Sequence, residues 1–286
     1  MEKIDWAFTQ INSDKILAAG IFKLKESQTW ELPEISFSDF GNYLISYLDS
    51  LYYIGEAKNI KARLTQQFKP TTSTFYKNFQ KLLKDDQELK SIPIDTFSVR
   101  FMSTAIGRKE IEDFGIVNLA TQLNKFQVGK RIKIDLIKQN GFWDEVQGEK
   151  SELLRLAEQK VFNQSFSGWF DNNVKSTAGL YIIKEKGEII YIGESSNIKE
   201  RHTTHSTTTY FSALRRHVAT DILHYQLKER NGKKKYLTDT ENLNVTNFLR
   251  GTTAIFYPVS FGRYELEEYL IKKHRPLLNR KDNFNE

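Results

Sequence analysis

The chain has 286 residues, which is enough for two compact domains of ordinary size, each with its own core. Lys and Arg outnumber Asp and Glu by 42 to 36, so a polyanionic partner is permitted but not required. The absence of cysteine excludes disulfides and cysteine metal sites and fits a reducing compartment. No apolar run approaches a membrane span and no export signal opens the chain, so we expect a cytoplasmic protein without a membrane partner.

Residues 1–36 form an N-terminal extension that is predicted to hold a helix and some strand, with a break near Pro33. The first unit is predicted to span residues 37–128 and opens with "GNYLISYLDSLYYIGEAKNIKARLTQQF". Further on, "FYKNFQKLLKDDQELK" and "RKEIEDFGIVNLATQL" each predict a helix, because their apolar residues recur at helical spacing. Residues 129–176 are predicted to be a structured connector with an amphipathic helix around residues 153–162.

The second unit is predicted to span residues 177–286 and opens with "GLYIIKEKGEIIYIGESSNIKERHTTH". Two short runs of β-branched and aromatic residues flank Lys186-Gly187, which predicts a hairpin. Tyr181 and Tyr191 are separated by an even number of residues. We therefore expect a loop of three or five residues, which sets both tyrosines on one face of the sheet.

A short helix is predicted next, with Ser195 or Ser196 as its N-cap, carrying Arg201 and, one turn later, His205. Farther along, "GRYELEEYLIKKHRP" predicts a helix that holds Glu267 beside an apolar stripe and ends before the proline.

Between those two helices lie "TTTYFSALRRHVATDIL" and "ERNGKKKYLTD", in which glycine predicts a turn. Their basic residues are candidate phosphate contacts: Arg215, Arg216, Lys233, Lys234 and Lys235. The alternative interpretation is a solvated helix face followed by a charged turn.

The chain repeats itself at fixed intervals. Three residues of the first unit recur 138 residues later: Tyr43, Tyr53 and Arg63 correspond to Tyr181, Tyr191 and Arg201. Two more recur 155 residues later: Glu112 and Asn124 correspond to Glu267 and Asn279. The chain is therefore predicted to contain two copies of one unit, with 17 additional residues in the second.

The ordered hairpin, arginine and glutamate resemble the motif set of the GIY-YIG nuclease family, and they do so twice. The stretch "YYIGEAKNIKARL" of the first copy is similar to the incision domain of the bacterial excision-repair nuclease. The resemblance implies an α+β fold with two tandem GIY-YIG-type units, each a small antiparallel β-sheet flanked by helices.

The resemblance also implies roles in phosphodiester hydrolysis. Tyr191 would accept a proton from the attacking water, which requires its pKa to be lowered by a nearby cation and a metal. Tyr181 would orient that water or a phosphate oxygen. Arg201 would bind the phosphate through the planar fork of donors that its guanidinium presents.

Three further residues complete the implied site. Glu267 would be the metal ligand, and a single carboxylate suits Mg²⁺, which Mn²⁺ can replace. His205 would exchange protons with Tyr191. Asn279 would hydrogen-bond near the site, or act only as a turn residue after the helix.

In the first copy, four residues occupy corresponding places: Tyr43, Tyr53, Arg63 and Glu112, the last as a second metal ligand. Gln67 stands where the second copy has His205, and glutamine is neither an acid nor a base at neutral pH. This difference puts the activity of the first copy in doubt, but we favour two active sites over one active and one structural copy.

The sequence therefore predicts a metal-dependent DNA endonuclease of the restriction or phage-defence type that cuts both strands of double-stranded DNA. It would act as a monomer with an internal pseudo-dimer or as a homodimer. The alternatives are a DNA repair nickase specific for structure or damage, and a non-catalytic nucleic-acid-binding protein. RNA is less favoured, because no paired aromatic stacking motif is evident.

Overall fold

The computed structural model of the protein describes residues 3–31, 38–48, 50–69, 73–85, 96–124, 133–134 and 142–280. The chain forms two compact units, Met1–Ser151 and Glu152–Glu286. Each contains a small antiparallel sheet flanked by helices, so the predicted α+β class is confirmed. No helix in the described ranges is both long and apolar enough to cross a membrane.

The first unit has a four-stranded sheet with the strand order β1-β4-β2-β3. Its elements are α1 (Trp6–Ile11), α2 (Ser13–Glu26), β1 (Thr29–Glu31), β2 (Gly41–Tyr47), β3 (Ser50–Ala57), α3 (Ile60–Gln67), α4 (Thr74–Asp85), β4 (Ser98–Ser103), α5 (Arg108–Asn118) and α6 (Trp143–Gly148). Helix α2 packs against α5 and β4, so the predicted N-terminal extension is part of this unit. The predicted helix at residues 75–90 is α4, and residues 86–90 lie outside the described residues.

The second unit has a sheet with the strand order β5-β10-β6-β7 and a separate two-stranded hairpin. Its elements are α7 (Lys150–Phe162), β5 (Ser167–Gly168), a 3₁₀ turn (Trp169–Asp171), β6 (Gly179–Glu185), β7 (Glu188–Ser195), α8 (Ile198–Thr207), α9 (Ala213–His217), a π turn (Val218–Ile222), β8 (Lys228–Arg230), β9 (Lys233–Tyr236), α10 (Asp239–Arg250), β10 (Thr253–Pro258) and α11 (Arg263–His274). The amphipathic helix predicted in the connector is α7. Connector residues 129–132 and 135–141 lie outside the described residues.

The two sheets have equivalent strand orders. Strands β2 and β3 recur 138 residues later as β6 and β7. Strand β4 and helix α5 recur 155 residues later as β10 and α11. Strands β1 and β5 are also equivalent, and they precede residues 37 and 177, where the sequence predicted the units to begin.

The hairpin β6–β7 has a two-residue turn, so the predicted three- or five-residue loop is wrong. Lys186 and Gly187 both have positive φ, as in the turns that suit the twist of a hairpin. A β-bulge between Ile183 and Lys184 nevertheless places both tyrosines on one face of the sheet, as predicted. It moves Tyr191 from opposite Ile182 to opposite Ile183, which lies on the same face as Tyr181. Strands β2 and β3 carry the same register shift.

The helices that flank the hairpin have well-defined ends. Helix α8 is capped by Asn197, whose side chain accepts a hydrogen bond from the Glu200 backbone N–H. The predicted caps, Ser195 and Ser196, are therefore wrong. Helix α11 ends as predicted, with Arg275 in the left-handed region immediately before Pro276.

Candidate active site

The two tyrosines of the second hairpin lie on one face of the sheet. Tyr181 of β6 and Tyr191 of β7 stack with ring centroids 6.0 Å apart. Gly193 faces Tyr181 across the strands. A Cβ atom at Gly193 would lie 2.3 Å from the Tyr181 hydroxyl, so the ring can lie across the strand only because this residue is glycine.

Tyr181 is tied to the following helices by a chain of hydrogen bonds. Its hydroxyl lies 2.9 Å from Nε2 of His205, and Nδ1 of His205 lies 2.7 Å from Oγ of Ser212. Tyr181 also hydrogen-bonds the hydroxyl of Tyr191. The expected direct exchange of protons between His205 and Tyr191 is therefore replaced by a contact of His205 with Tyr181.

The first unit repeats this chain of hydrogen bonds with a glutamine. Nε2 of Gln67 donates to the Tyr43 hydroxyl over 2.9 Å, and Oε1 of Gln67 accepts from Oγ of Ser73 over 2.8 Å. An amide has its donor and acceptor on different atoms, so the direction of both bonds is fixed. Gln67 therefore preserves the contacts of the histidine that it replaces.

A neutral imidazole with its hydrogen on Nε2 makes the same two bonds in the second unit. His205 then donates to Tyr181 and accepts from Ser212, while Tyr181 donates to Tyr191. Burial, aided by Arg201, lowers the pKa of His205 to about 3, so the imidazole is neutral at physiological pH. In this arrangement His205 positions Tyr181 and does not act as a base towards it.

The predicted role of Tyr191 as a general base requires a pKa lowered by both a cation and a metal. Burial, with the carboxylate of Glu267, raises the pKa of Tyr191 to about 12 in the protein without a metal ion. The positive charges of Arg201 and Arg216 act in the opposite direction. Additional positive charge at Glu267 would lower this pKa and favour loss of the phenol proton.

Arg201 lies on α8 and is partly exposed. Its positive charge acts to lower the pKa of both Tyr181 and Tyr191. Within the described part of the chain its guanidinium makes no hydrogen bond or ion pair, so its donors can take a phosphate. The equivalent residue, Arg63, donates to Gln66 over 3.1 Å and to Tyr43.

Glu267 lies on α11, one face of which packs on β7. Its Oε1 accepts a hydrogen bond from the Glu194 backbone N–H over 3.0 Å. Nε of Arg263, at the start of the same helix, lies 2.7 Å from the Glu194 carboxylate. The hydrogen bond from the Glu194 N–H holds the Glu267 carboxylate, which lies close enough to Tyr191 to raise the pKa of that phenol.

Asn279 is a positioning residue. Its side chain pairs with the backbone of Ile192, donating to the carbonyl over 2.7 Å and accepting from the N–H over 2.8 Å. Asn124 pairs with Ile54 in the same way in the first unit. Asn279 therefore joins the segment after α11 to the strand that carries Tyr191. This shared structural role explains why both units have an asparagine at this position.

A divalent cation with few protein ligands fits the surroundings of Glu267. No group of three or more His, Cys, Asp and Glu side chains that could hold a metal occurs among the described residues. A partly buried single carboxylate suits Mg²⁺, which keeps several waters and takes phosphate oxygens as ligands. Glu267 is thus the residue of the predicted site that could hold the ion directly.

The first unit differs at the corresponding carboxylate. Its tyrosines stack similarly, with Tyr43 and Tyr53 centroids 6.1 Å apart. However, Nζ of Lys109 lies 2.7 Å from Glu56 and 3.4 Å from Glu112. Burial raises the pKa of Glu112 to about 7, although the Lys109 ammonium opposes the shift. The second unit has Tyr264 at the helical position of Lys109.

The structure separates the five predicted phosphate contacts into two groups. Arg215 is buried and donates hydrogen bonds to three backbone carbonyls and two threonine hydroxyls, so its predicted DNA contact is wrong. Arg216 is half-buried and donates to the carbonyls of Thr209 and Tyr210. The hairpin β8–β9 presents the other three to solvent, with Lys235 partly covered by Tyr210: Lys233, Lys234 and Lys235.

Sequence reasoning missed four residues that shape the two sites. Ser212 and Ser73 anchor His205 and Gln67, and Lys109 and Glu194 contact or adjoin the two carboxylates. The repeat offered a signal for the serines, because each follows its histidine or glutamine by about the same interval. The sequence shows that Lys109 and Tyr264 differ at equivalent positions of the repeat. Only the structure shows that the lysine contacts Glu56 and Glu112.

Comparison with known proteins bears on the second unit. Residues 165–286 match the sequence model of the GIY-YIG catalytic domain, which supports a nuclease of the endonuclease type, that is, a phosphodiester hydrolase. No curated protein and no solved structure matches the chain. The match begins just before β5 and contains Tyr181, Tyr191, Arg201 and Glu267.

Proposed function

We propose that this catalytic domain is part of a Mg²⁺-dependent DNA endonuclease that hydrolyses phosphodiester bonds by direct attack of water. The observation that carries the proposal is the convergence of two phenols, a guanidinium and a carboxylate from four separate elements: β6, β7, α8 and α11. Mn²⁺ is expected to replace Mg²⁺, since both accept carboxylate, phosphate and water oxygens.

Each residue then has a distinct role. Arg201 binds a non-bridging oxygen of the scissile phosphate and keeps its charge throughout. Tyr191 accepts a proton from the attacking water, and Tyr181, held by His205, donates a hydrogen bond to Tyr191 and fixes its orientation. Glu267 holds the divalent ion, which when bound supplies positive charge to the phosphate and lowers the barrier to deprotonation nearby.

Double-stranded DNA is the proposed substrate and restriction or phage defence the proposed role. The lysines of the hairpin β8–β9 support a contact with the DNA backbone. We also propose that the first unit is a second copy of the same domain, related to the incision domain of the excision-repair nuclease. This relationship is supported by the shared strand order, the stacked tyrosines and the asparagine clamp, by which we mean the pairing of the Asn124 side chain with the Ile54 backbone.

Cleavage of supercoiled plasmid DNA in the presence of Mg²⁺ tests the proposal. We expect wild type to cut and Glu267→Gln to cut at least about 100-fold more slowly while binding DNA with similar affinity. Glu200→Gln, which changes an exposed glutamate on α8, is the matched control and should retain full activity. EDTA should abolish cleavage, and added Mn²⁺ should restore it.

The product distinguishes the alternatives. Linear DNA supports a restriction-type enzyme, whereas persistent nicked circles or a preference for damaged or branched DNA supports a repair nickase. Wild type that binds plasmid but leaves it intact with both metals would refute hydrolysis and support a non-catalytic nucleic-acid-binding protein.

A further inference from the structure

Lys109 gives the first unit a positive charge at the position where the second unit is proposed to bind a metal. It follows Arg108 at the start of α5, as Tyr264 follows Arg263 at the start of α11. Its ammonium lies 2.7 Å from Glu56 and 3.4 Å from Glu112. Glu56 and Glu112 correspond to Glu194 and Glu267 of the second unit.

We propose that Lys109 is a built-in cation that replaces the divalent metal in the first unit, so that the chain hydrolyses DNA at the second unit alone. This inference rests on the proposed function of the second unit. It departs from the two active sites that the sequence favoured.

The contacts of Lys109 leave little room for a second cation. Its ammonium is attached to the same helix as Glu112, and the side chains of all three residues are largely shielded from water, at 30%, 16% and 15% exposure for Lys109, Glu56 and Glu112. A divalent ion on Glu112 would stand next to a fixed like charge, with weak screening by solvent. Both carboxylates lie within ion-pair distance of the Lys109 ammonium, so they are already paired with a cation of the chain itself.

Gln67 does not by itself account for a loss of activity. It makes the same hydrogen bonds to Tyr43 and Ser73 that His205 makes to its tyrosine and serine. The tyrosine pair, Arg63 and the asparagine clamp are also retained. The replacement of an uncharged residue by Lys109 is therefore the change that removes the metal.

The full-length chain with Tyr191→Phe, which is expected to slow cleavage, is the parent for the test. Bound Mn²⁺ is counted by electron paramagnetic resonance in the presence of a short DNA duplex. We expect one Mn²⁺ per parent chain, two after Lys109→Tyr or Lys109→Gln, and one after Lys109→Arg, which keeps the charge. Adding Glu112→Gln to Lys109→Tyr should return the count to one.

Thermal unfolding supplies a second measurement that does not depend on cleavage. Removal of the lysine leaves Glu56 and Glu112 facing each other, so Lys109→Tyr should unfold at a lower temperature than the parent without metal. Mn²⁺ should raise the unfolding temperature of Lys109→Tyr more than that of the parent, because a ligand stabilises the state that binds it.

Two outcomes would overturn the inference: two Mn²⁺ ions bound to the parent, or no additional ion in both Lys109→Tyr and Lys109→Gln. An outcome of no ion in the parent and one in Lys109→Tyr would instead support the role of Lys109 and refute the metal site of the second unit. The inference and the proposed function can therefore fail separately.

Discussion

At the scale of single residues, the exchange of His205 for Gln67 between the units separates hydrogen bonding from acid–base chemistry. Gln67 donates to Tyr43 and accepts from Ser73, and His205 contacts Tyr181 and Ser212 through its two ring nitrogens in the same arrangement. Because glutamine carries no titratable proton, His205→Gln keeps the contacts and removes the titration. The substitution therefore tests whether His205 holds Tyr181 in place or transfers protons.

We expect His205→Gln to reduce the rate of DNA cleavage by less than about tenfold, whereas loss of a general acid or base costs about 100-fold or more.

The stability of the same variant should be less sensitive to acid. The pKa of His205 is about 3 in the folded protein against 6.5 in the unfolded chain, so the unfolded chain binds an extra proton between these values. The free energy of unfolding of wild type should therefore fall as the pH drops below 6.5.

Urea unfolding at pH 7 and pH 5 measures this effect. The loss of stability between the two pH values should be about 2 kcal/mol smaller in His205→Gln than in wild type. Equal losses in the two proteins would show that His205 is not held neutral by burial. A cleavage rate reduced by about 1000-fold, with folding intact, would show that His205 takes part in proton transfer.

At the scale of elements, α7 belongs to the fold of the second unit and is not a spacer. Its Glu158 accepts hydrogen bonds from three residues of α11: Tyr269, Lys273 and His274. These contacts outweigh burial and lower the pKa of Glu158, so their stabilisation is present at neutral pH and is lost as acid protonates the carboxylate. Helix α11 also carries Glu267, so α7 stabilises the helix that positions this residue of the candidate active site.

Glu158→Ala should lower the free energy of unfolding by about 2 kcal/mol, because it leaves three donors without their charged acceptor. Glu152→Ala is the matched control on the same helix: it removes an exposed carboxylate that pairs with Arg155 and should cost less than about 0.5 kcal/mol. Thermal or urea unfolding of the full chain compares the two. Equal effects would mean that the link between α7 and α11 does not stabilise the unit.

Much of the hairpin, α8 and α11 could be predicted from the sequence, because Gly187, Pro276 and the repeated tyrosines have strong local preferences. The β-bulge could not, since the extra residue is an ordinary apolar side chain, Ile190, without a turn signal. Arg215 was misassigned because arginines usually lie at the surface, and only tertiary contacts reveal that this one is buried.

At the scale of the whole molecule, the single hydrolytic site per chain that we propose would determine how double-strand breaks arise. One chain would nick one strand, and a break would need a second chain on the opposite strand, as in a two-fold symmetric dimer. Nicking should then be first order in protein, whereas the fraction of linear plasmid should rise with protein concentration. The ratio of linear to nicked product over a dilution series measures this.

For protein that is monomeric throughout the dilution series, a ratio that does not change would mean that one chain cuts both strands, which contradicts the role assigned to Lys109. The same dilution series with Glu200→Gln is the control and should give the wild-type ratios, since this change alters the charge of α8 without touching the tyrosine cluster.

The second unit also contains its own fluorophore. Trp169 is the only tryptophan after residue 151 and is fully buried. Its indole donates to Ser206 over 2.9 Å and lies 4.7 Å from the His202 ring, both on the helix that carries Arg201. With Trp6, Trp30 and Trp143 replaced by phenylalanine, emission from Trp169 would follow any displacement of that helix when DNA arrives, in real time and without a dye.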